Sequence, residues 1–279
     1  MGSNLIFITG AGSSGTTAVQ MALLAHPDCS SCFEVSIGMD YVMGKENAKY
    51  RPHWVTRPER YGLTKPAILS TRAALPNVVE SFYRLADYHR AMQGGRVFVC
   101  KAPHNIEYIG VLHDLWPAAP VVVTVRHPLT WIPSIMVRNI GPVIQSRPNA
   151  RDSIEAACET WNYAAEILLR TEDVICVPAE HVVQELPGVF HYCGLDWNED
   201  YLHWRKHVQP KLRPYDIAGL SYKLSVIRGD TIQNMTYSRL ANLTPEQREY
   251  IVANTDWEML YPAAFTEGLM RHARNMDSR

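Results

Sequence analysis

Residues 8–17 read ITGAGSSGTT. Two glycines at this spacing, followed by a hydroxyl residue, match the phosphate-binding loop G-x-x-x-x-G-K-[ST], whose backbone N–H groups surround an anion. Gly10, Gly15 and Thr17 fill their places, but Thr16 stands where the lysine belongs. In nucleoside-triphosphate enzymes that lysine neutralises the terminal phosphates, and a carboxylate on another strand helps to hold a divalent metal. Here the best strand candidate, VVVTV at Val121 to Val125, runs into Arg126 and not into an acid. Without either feature a triphosphate would be badly compensated. The amides of Gly12, Ser13, Ser14 and Gly15, with the hydroxyls of Thr16 and Thr17, suit a smaller anion at a helix start. No metal site is called for.

A second anion site is suggested by VRHPLTWIPS. Arg126 closes a strand candidate, where open α/β sheets bind ligands. Ser134 follows eight residues later, after Pro128 and ahead of a plausible helix. A guanidinium and a hydroxyl so placed can share one phosphate. Taken alone, they also fit an arginine capping one helix and a serine starting the next. Lys101 and His104 lie just past another strand candidate, as a point charge and a group that titrates near neutrality. Cys29 and Cys32 form a C-x-x-C without a second ligand pair, so a metal or redox role is not expected.

The elements that must position these residues can be read from the chain. Strand candidates are residues 5–9, 96–100, 121–125 and 173–178, all short and rich in β-branched residues. Between them lie helical patterns. One follows the glycine loop, with Ala18, Val19, Ala22 and Leu23 on one face. Another carries Ile154, Cys158, Trp161, Ala165 and Leu168, with Asp152 and Glu155 as a capping box. Thr244-Pro245-Glu246-Gln247 marks a further helix start. This alternation predicts an α/β fold, a parallel β-sheet flanked by helices in a single domain over residues 1–279. Residues 40–75 and 205–240 read as irregular, the places for lids or binding loops.

Composition sets the limits. The chain has 279 residues, 47% of them hydrophobic and 20% charged, with a net charge of -1. No global basic field advertises nucleic acid. No apolar run is long enough to cross a bilayer, and no signal peptide precedes the first strand, so no membrane partner is expected. The opening Met1, Gly2 and Ser3 read as a cloning remnant. Six cysteines, several in apolar stretches, point to a reducing compartment, the cytoplasm.

The motifs together resemble those of sulfotransferases that use 3′-phosphoadenosine 5′-phosphosulfate (PAPS). That family carries a loop of the form G-x-P-[RK]-S-G-T-T for the 5′-phosphosulfate, and R-x-P with a later serine for the 3′-phosphate. GAGSSGTT and RHPLTWIPS stand in those places, in order with HPD (residues 26–28), KAPHN (residues 101–105), the segment from VPAEH to GLDW and LTPEQREYI. The resemblance covers most of residues 5–260 and is weak over 40–95. It implies a P-loop NTPase-like sulfotransferase fold, PAPS as donor and a small-molecule acceptor bound partly by residues 40–95. The donor-binding residues would be Gly12, Ser13, Ser14, Gly15, Thr16, Thr17, Arg126 and Ser134.

The resemblance also implies a base. In the branch that sulfates protein tyrosines, a glutamate lies 21 residues beyond the loop's basic position, and Glu34 lies 21 beyond Ser13. Glu34 is thus the expected general base, with desolvation raising its pKa, and His104 is the runner-up. Lys101 would stabilise charge on the transferring group. The departure is Ser13, which replaces the family's loop arginine or lysine, while Gly12 replaces its proline. Either Lys101, Arg57 or Lys65 supplies the missing charge, or the enzyme accepts a slow rate, or the protein binds the nucleotide without transfer. Arg228, Thr231, Tyr237 and Arg239 are candidates to meet the adenine and the 3′-phosphate. Two other readings stay open: a kinase with an aberrant P-loop, and a non-catalytic nucleotide-binding protein. The sequence does not decide between O- and N-sulfation or the oligomeric state.

Overall fold

Five short strands pair side by side in one parallel sheet. They are β1 (Leu5–Gly10), β2 (Cys29–Ser31), β3 (Val97–Lys101), β4 (Val121–Val125) and β5 (Val174–Pro178), in the order β2-β3-β1-β4-β5. The computed structural model describes residues 4–32, 34–137, 144, 146–147, 149–212, 230–234 and 237–277. Met1, Gly2, Ser3 and Arg228, singled out on sequence, lie outside them. The central register sets Ile8 beside Lys101 on one side and beside Val122 on the other.

A parallel sheet must be covered on both faces, and side chains alternate between them. Along β1, Leu5 and Phe7 join the cluster of Phe82, Phe98 and Trp116, while Ile6 and Ile8 join Val19, Leu23 and Phe190. The covering helices are α1 (Thr16–Ala25), α2 (Ile37–Glu46), α3 (His53–Thr56), α4 (Lys65–Ala73), α5 (Val78–Gln93), α6 (Ile109–Leu115), α7 (Pro128–Met136), α8 (Ile154–Leu169), α9 (Val182–Tyr192), α10 (Trp204–Leu212), α11 (Pro245–Ala253) and α12 (Ala263–Asp277). α1, α9 and α10 lie on the Ile6 face.

Four sequence readings are corrected by the structure. Residues 40–75 are largely helical, from α2 through α4. The cap of α8 is Ser153, whose hydroxyl accepts from the Ala156 N–H at 3.1 Å, and not the Asp152–Glu155 pair. Ser134 lies inside α7, not ahead of a helix. β2 was not anticipated, because its three residues carry no apolar pattern. That strand also settles Cys29 and Cys32. Three positions apart on extended chain, they fall into clusters on opposite faces of the sheet, both buried. Burial pushes the Cys29 thiol up to about 12, which leaves it inert. The capping box at Thr244 is present, with its hydroxyl accepting from the Gln247 N–H and the Gln247 side chain accepting from the Thr244 N–H.

Candidate active site

Glu34, Lys101, His104, the glycine loop and Arg126 lie at one edge of the sheet, at or beyond the C-terminal ends of its strands. Read across the sheet order, Glu34 follows β2, Lys101 and His104 stand at the end of β3, the glycine loop follows β1, and Arg126 follows β4. The topology thus places a carboxylate, an ammonium, an anion loop and a guanidinium in one row.

The loop is shaped by its glycines. Gly10 has φ +145, and a Cβ there would meet the Thr124 carbonyl oxygen at 2.3 Å and Ser14 Oγ at 2.7 Å. Any side chain would push β1 off β4. Ser14 and Thr124 join hydroxyls at 2.7 Å, which ties the loop to β4. The indole N–H of Trp131 donates to the Gly12 carbonyl at 2.8 Å. Ser13 has φ 71, a left-handed conformation that non-glycine residues adopt mainly under constraint at functional sites. α1 then starts from Gly15, at φ 100. Having no side chain, Gly15 leaves the first-turn amides uncapped, and no acid occupies that turn. Such an end attracts an anion.

Arg126 is 4% exposed and is held from several sides. Its Nη1 donates to the Ser13 carbonyl at 3.3 Å and its Nε to Thr130 Oγ1 at 3.1 Å. Its carbonyl accepts from the Trp161 indole at 2.9 Å. Next to it, the His127 ring caps α7 by accepting from the Leu129 N–H, and burial lowers the imidazole to about 3, so it is neutral. Pro128 opens α7, a position where its missing N–H is not needed. Within α7, Thr130 and Ser134 are four residues apart and share a face. The spacing of eight between Arg126 and Ser134 is therefore one step to Thr130 and one helical turn beyond. Ser134 accepts from a second guanidinium, Arg239, at 2.8 Å to Oγ and 3.2 Å to its carbonyl. A pocket of about 20 Å³ lined by Ala11, Arg126, Trp131, Trp161 and Leu168 backs this corner with apolar surface.

At the other end of the row, Lys101 Nζ donates to Glu34 Oε1 at 2.5 Å. Lys101 is 1% exposed and the Glu34 side chain 24%. Asn105 binds this corner together. Its Oδ1 accepts from the Gly38 N–H at 3.2 Å and its Nδ2 donates to the Val35 carbonyl at 3.3 Å. The Tyr61 hydroxyl donates to the Glu34 carbonyl at 3.1 Å. His104 is half-buried on the 3₁₀ turn Pro103–Tyr108, whose first carbonyl accepts from the Thr9 hydroxyl at 3.0 Å.

The glycine loop and Arg126 are thus brought together, as are Glu34 and Lys101. Among the candidates for the missing loop cation, Lys101 is buried beside β1, whereas Arg57 and Lys65 are exposed. The Thr231 hydroxyl bonds to the His203 ring at 3.1 Å.

The sequence pattern of the Sulfotransferase family matches residues 5–199. The chain belongs to the sulfotransferase family. Among solved structures, this sulfotransferase is similar to the sulfotransferase domain of the Synechococcus PCC 7002 olefin synthase, with 18% identity, 99% of this chain and 95% of that one covered and a TM-score of 0.48. It is also similar to the sulfotransferase domain of the curacin biosynthetic pathway, with 15% identity, coverage of 91% and 97% and a TM-score of 0.49. A third is mouse SULT7A1 complexed with PAP, with 12% identity, coverage of 97% and 88% and a TM-score of 0.49. No curated protein sequence matches the chain.

Reading the sequence missed several residues that shape the site of this sulfotransferase. Asn105, Thr124, Trp131 and Trp161 act through hydrogen bonds to distant backbone or side chains, and no local pattern marks them. Arg239 was only one of four candidates in its segment. Its contact with Ser134 spans 105 residues, beyond any local pattern.

Proposed function

We propose that this sulfotransferase moves a sulfuryl group from PAPS to a hydroxyl, or an amine, of a small-molecule acceptor by in-line transfer. The observation that supports the reading is the contact between Arg126 Nη1 and the Ser13 carbonyl, because it joins the guanidinium to the glycine loop. A ligand with two separate anionic groups fits that arrangement, and a single phosphate does not need it.

The amides from Gly12 to Gly15 and the start of α1, with the Thr16 and Thr17 hydroxyls, hold the 5′-phosphosulfate end. Arg126 and the Ser134 hydroxyl hold the 3′-phosphate, joined by Arg239. When bound, PAPS supplies an electron-poor sulfuryl group and a leaving phosphate that departs with the bridging electron pair. Lys101 stabilises charge that grows on the transferring group, which Ser13 cannot do. Glu34 takes the acceptor proton as the S–O bond forms, and His104 is the runner-up base. The acceptor enters from the α2–α5 side, next to Glu34. Six free thiols, four of them buried, support a reducing, cytoplasmic setting.

One observation favours a second reading, a non-catalytic nucleotide binder: Ser13 carries no charge where the family has one. Two measurements test the proposal. In calorimetric titrations, adenosine 3′,5′-bisphosphate should bind more tightly than ATP with magnesium; the opposite order favours a kinase. Labelled PAPS offered with hydroxyl and amine acceptors should yield a sulfated product. Tight binding of the bisphosphate without any transfer would leave the binder reading standing.

A further inference from the structure

We propose that Glu180 is a positioning residue that aims the Arg126 guanidinium through the Thr130 hydroxyl, and so sets the preference for a nucleotide with a 3′-phosphate. This deepens the reading above and rests on it.

Glu180 follows β5 and is 2% exposed. A carboxylate so deeply buried is rare without compensation. Its Oε1 accepts from the His127 N–H at 3.0 Å and from the Thr130 hydroxyl at 2.5 Å, and its Oε2 accepts from the Tyr261 hydroxyl at 3.1 Å. These three donors are neutral. The positive charge lies one step further, where Arg126 Nε donates to the same Thr130 oxygen at 3.1 Å. Tyr261 feels both charges: burial and then Glu180 raise its hydroxyl well above the usual range, while Arg126 opposes them. Carboxylate, hydroxyl and guanidinium therefore form one buried chain across three elements.

The chain has a direction. The Thr130 hydroxyl could also give its hydrogen to the His127 carbonyl, 3.0 Å away. An ionised carboxylate is the stronger acceptor, so it draws the hydrogen and leaves an oxygen lone pair for Arg126 Nε. The guanidinium is planar, so fixing Nε fixes the plane. Its Nη edge then faces the loop, as the Nη1 contact to Ser13 shows. A residue that only tied the β5 turn to α7 would need no charge, because a glutamine could accept the same N–H and O–H.

The test compares affinities for adenosine 3′,5′-bisphosphate and adenosine 5′-monophosphate by calorimetry in the full chain. Thr130→Val keeps volume and removes the link; Thr130→Ser keeps the link; Glu180→Gln keeps an acceptor oxygen and removes the charge. The wild type should prefer the bisphosphate. Thr130→Val should lose roughly tenfold of that preference, the scale of one charge-assisted hydrogen bond, with monophosphate affinity within about twofold. Thr130→Ser should restore the preference, and Glu180→Gln should lose a smaller part of it. If Thr130→Val keeps the full preference, or weakens both nucleotides alike, the inference is wrong. Should Thr130→Val not fold, Glu180→Gln decides: an unchanged ratio overturns the positioning role. A wild type without any preference would instead sink the phosphate reading itself.

Discussion

The two ends of the proposed active edge are built differently. At the donor end, the glycine loop, Arg126 and α7 are locked by direct bonds between buried groups: Ser14 to Thr124, Trp131 to Gly12, Trp161 to Arg126. At the proposed acceptor end, the Lys101–Glu34 ion pair is flanked by Asn105, which bonds Gly38 and Val35, and by the Tyr61 hydroxyl on the Glu34 carbonyl. On the proposed function, the donor end is a preorganised anion site, whereas the other end carries the ion pair that acts in turnover. The difference teaches that binding and turnover should separate along this edge.

The largest break in that comparison is Glu34→Gln. Turnover should fall on the order of a thousandfold, as loss of a general base does, while affinity for adenosine 3′,5′-bisphosphate stays put. Steady-state rates alongside calorimetry check this, and normal turnover would remove Glu34 from the base role. Arg126→Ala should do the reverse. Bisphosphate affinity should drop about a hundredfold or more, because a charge-assisted contact is lost and the buried neighbours are left unsatisfied. If affinity survives, the 3′-phosphate is not held there.

A prediction of intermediate size concerns Asp40, on α2 in the acceptor layer. It is 1% exposed, its hydrogen-bond partner is the Tyr50 hydroxyl, and burial raises its carboxyl from 3.8 to about 7, with that bond opposing. The folded chain keeps this proton while the unfolded chain releases it. The protonated Asp40 therefore favours the fold fully below pH 3.8, and that contribution fades as pH rises to about 7. Asp40→Asn, neutral at every pH, should be more stable than the wild type near pH 7 by on the order of 2 kcal/mol, and by much less near pH 4. Denaturant unfolding at both pH values reads the difference. A gap that does not change with pH would mean that Asp40 does not titrate in this window.

The same contrast explains what could be read in the sequence. The glycine loop, Arg126 and Ser134 were legible because close backbone approach demands glycine at Gly10 and Gly15, and because Arg126 and Ser134 stand only eight residues apart. β4 was legible to the residue, since a fully buried parallel strand is a continuous apolar run. The acceptor layer was not. α2 buries Ile37, Gly38 and Asp40 and leaves Met43 exposed, so its apolar residues trace no single face. β2, C-S-S, owes its strand to pairing with β3 and to Gln93, which bonds the Ser31 backbone N–H and carbonyl at 3.0 and 2.7 Å. Those contacts reach across 62 residues, and no periodicity encodes them.

The smallest and most discriminating prediction pairs one bond from each end. Trp131→Phe removes the indole N–H that holds the Gly12 carbonyl, and Tyr61→Phe removes the hydroxyl that holds the Glu34 carbonyl. Each bond is worth about 1 kcal/mol, and each swap keeps an aromatic ring in place. If the edge is divided as described, Trp131→Phe should weaken bisphosphate binding roughly fivefold. Tyr61→Phe should instead lower turnover, or raise the acceptor KM, by a similar factor with donor affinity unchanged. A Tyr61→Phe variant that weakens donor binding as much as Trp131→Phe would mean the two ends move as one body. In that case the ion pair, and not the sheet order, couples them, and Lys101→Met should then abolish the coupling.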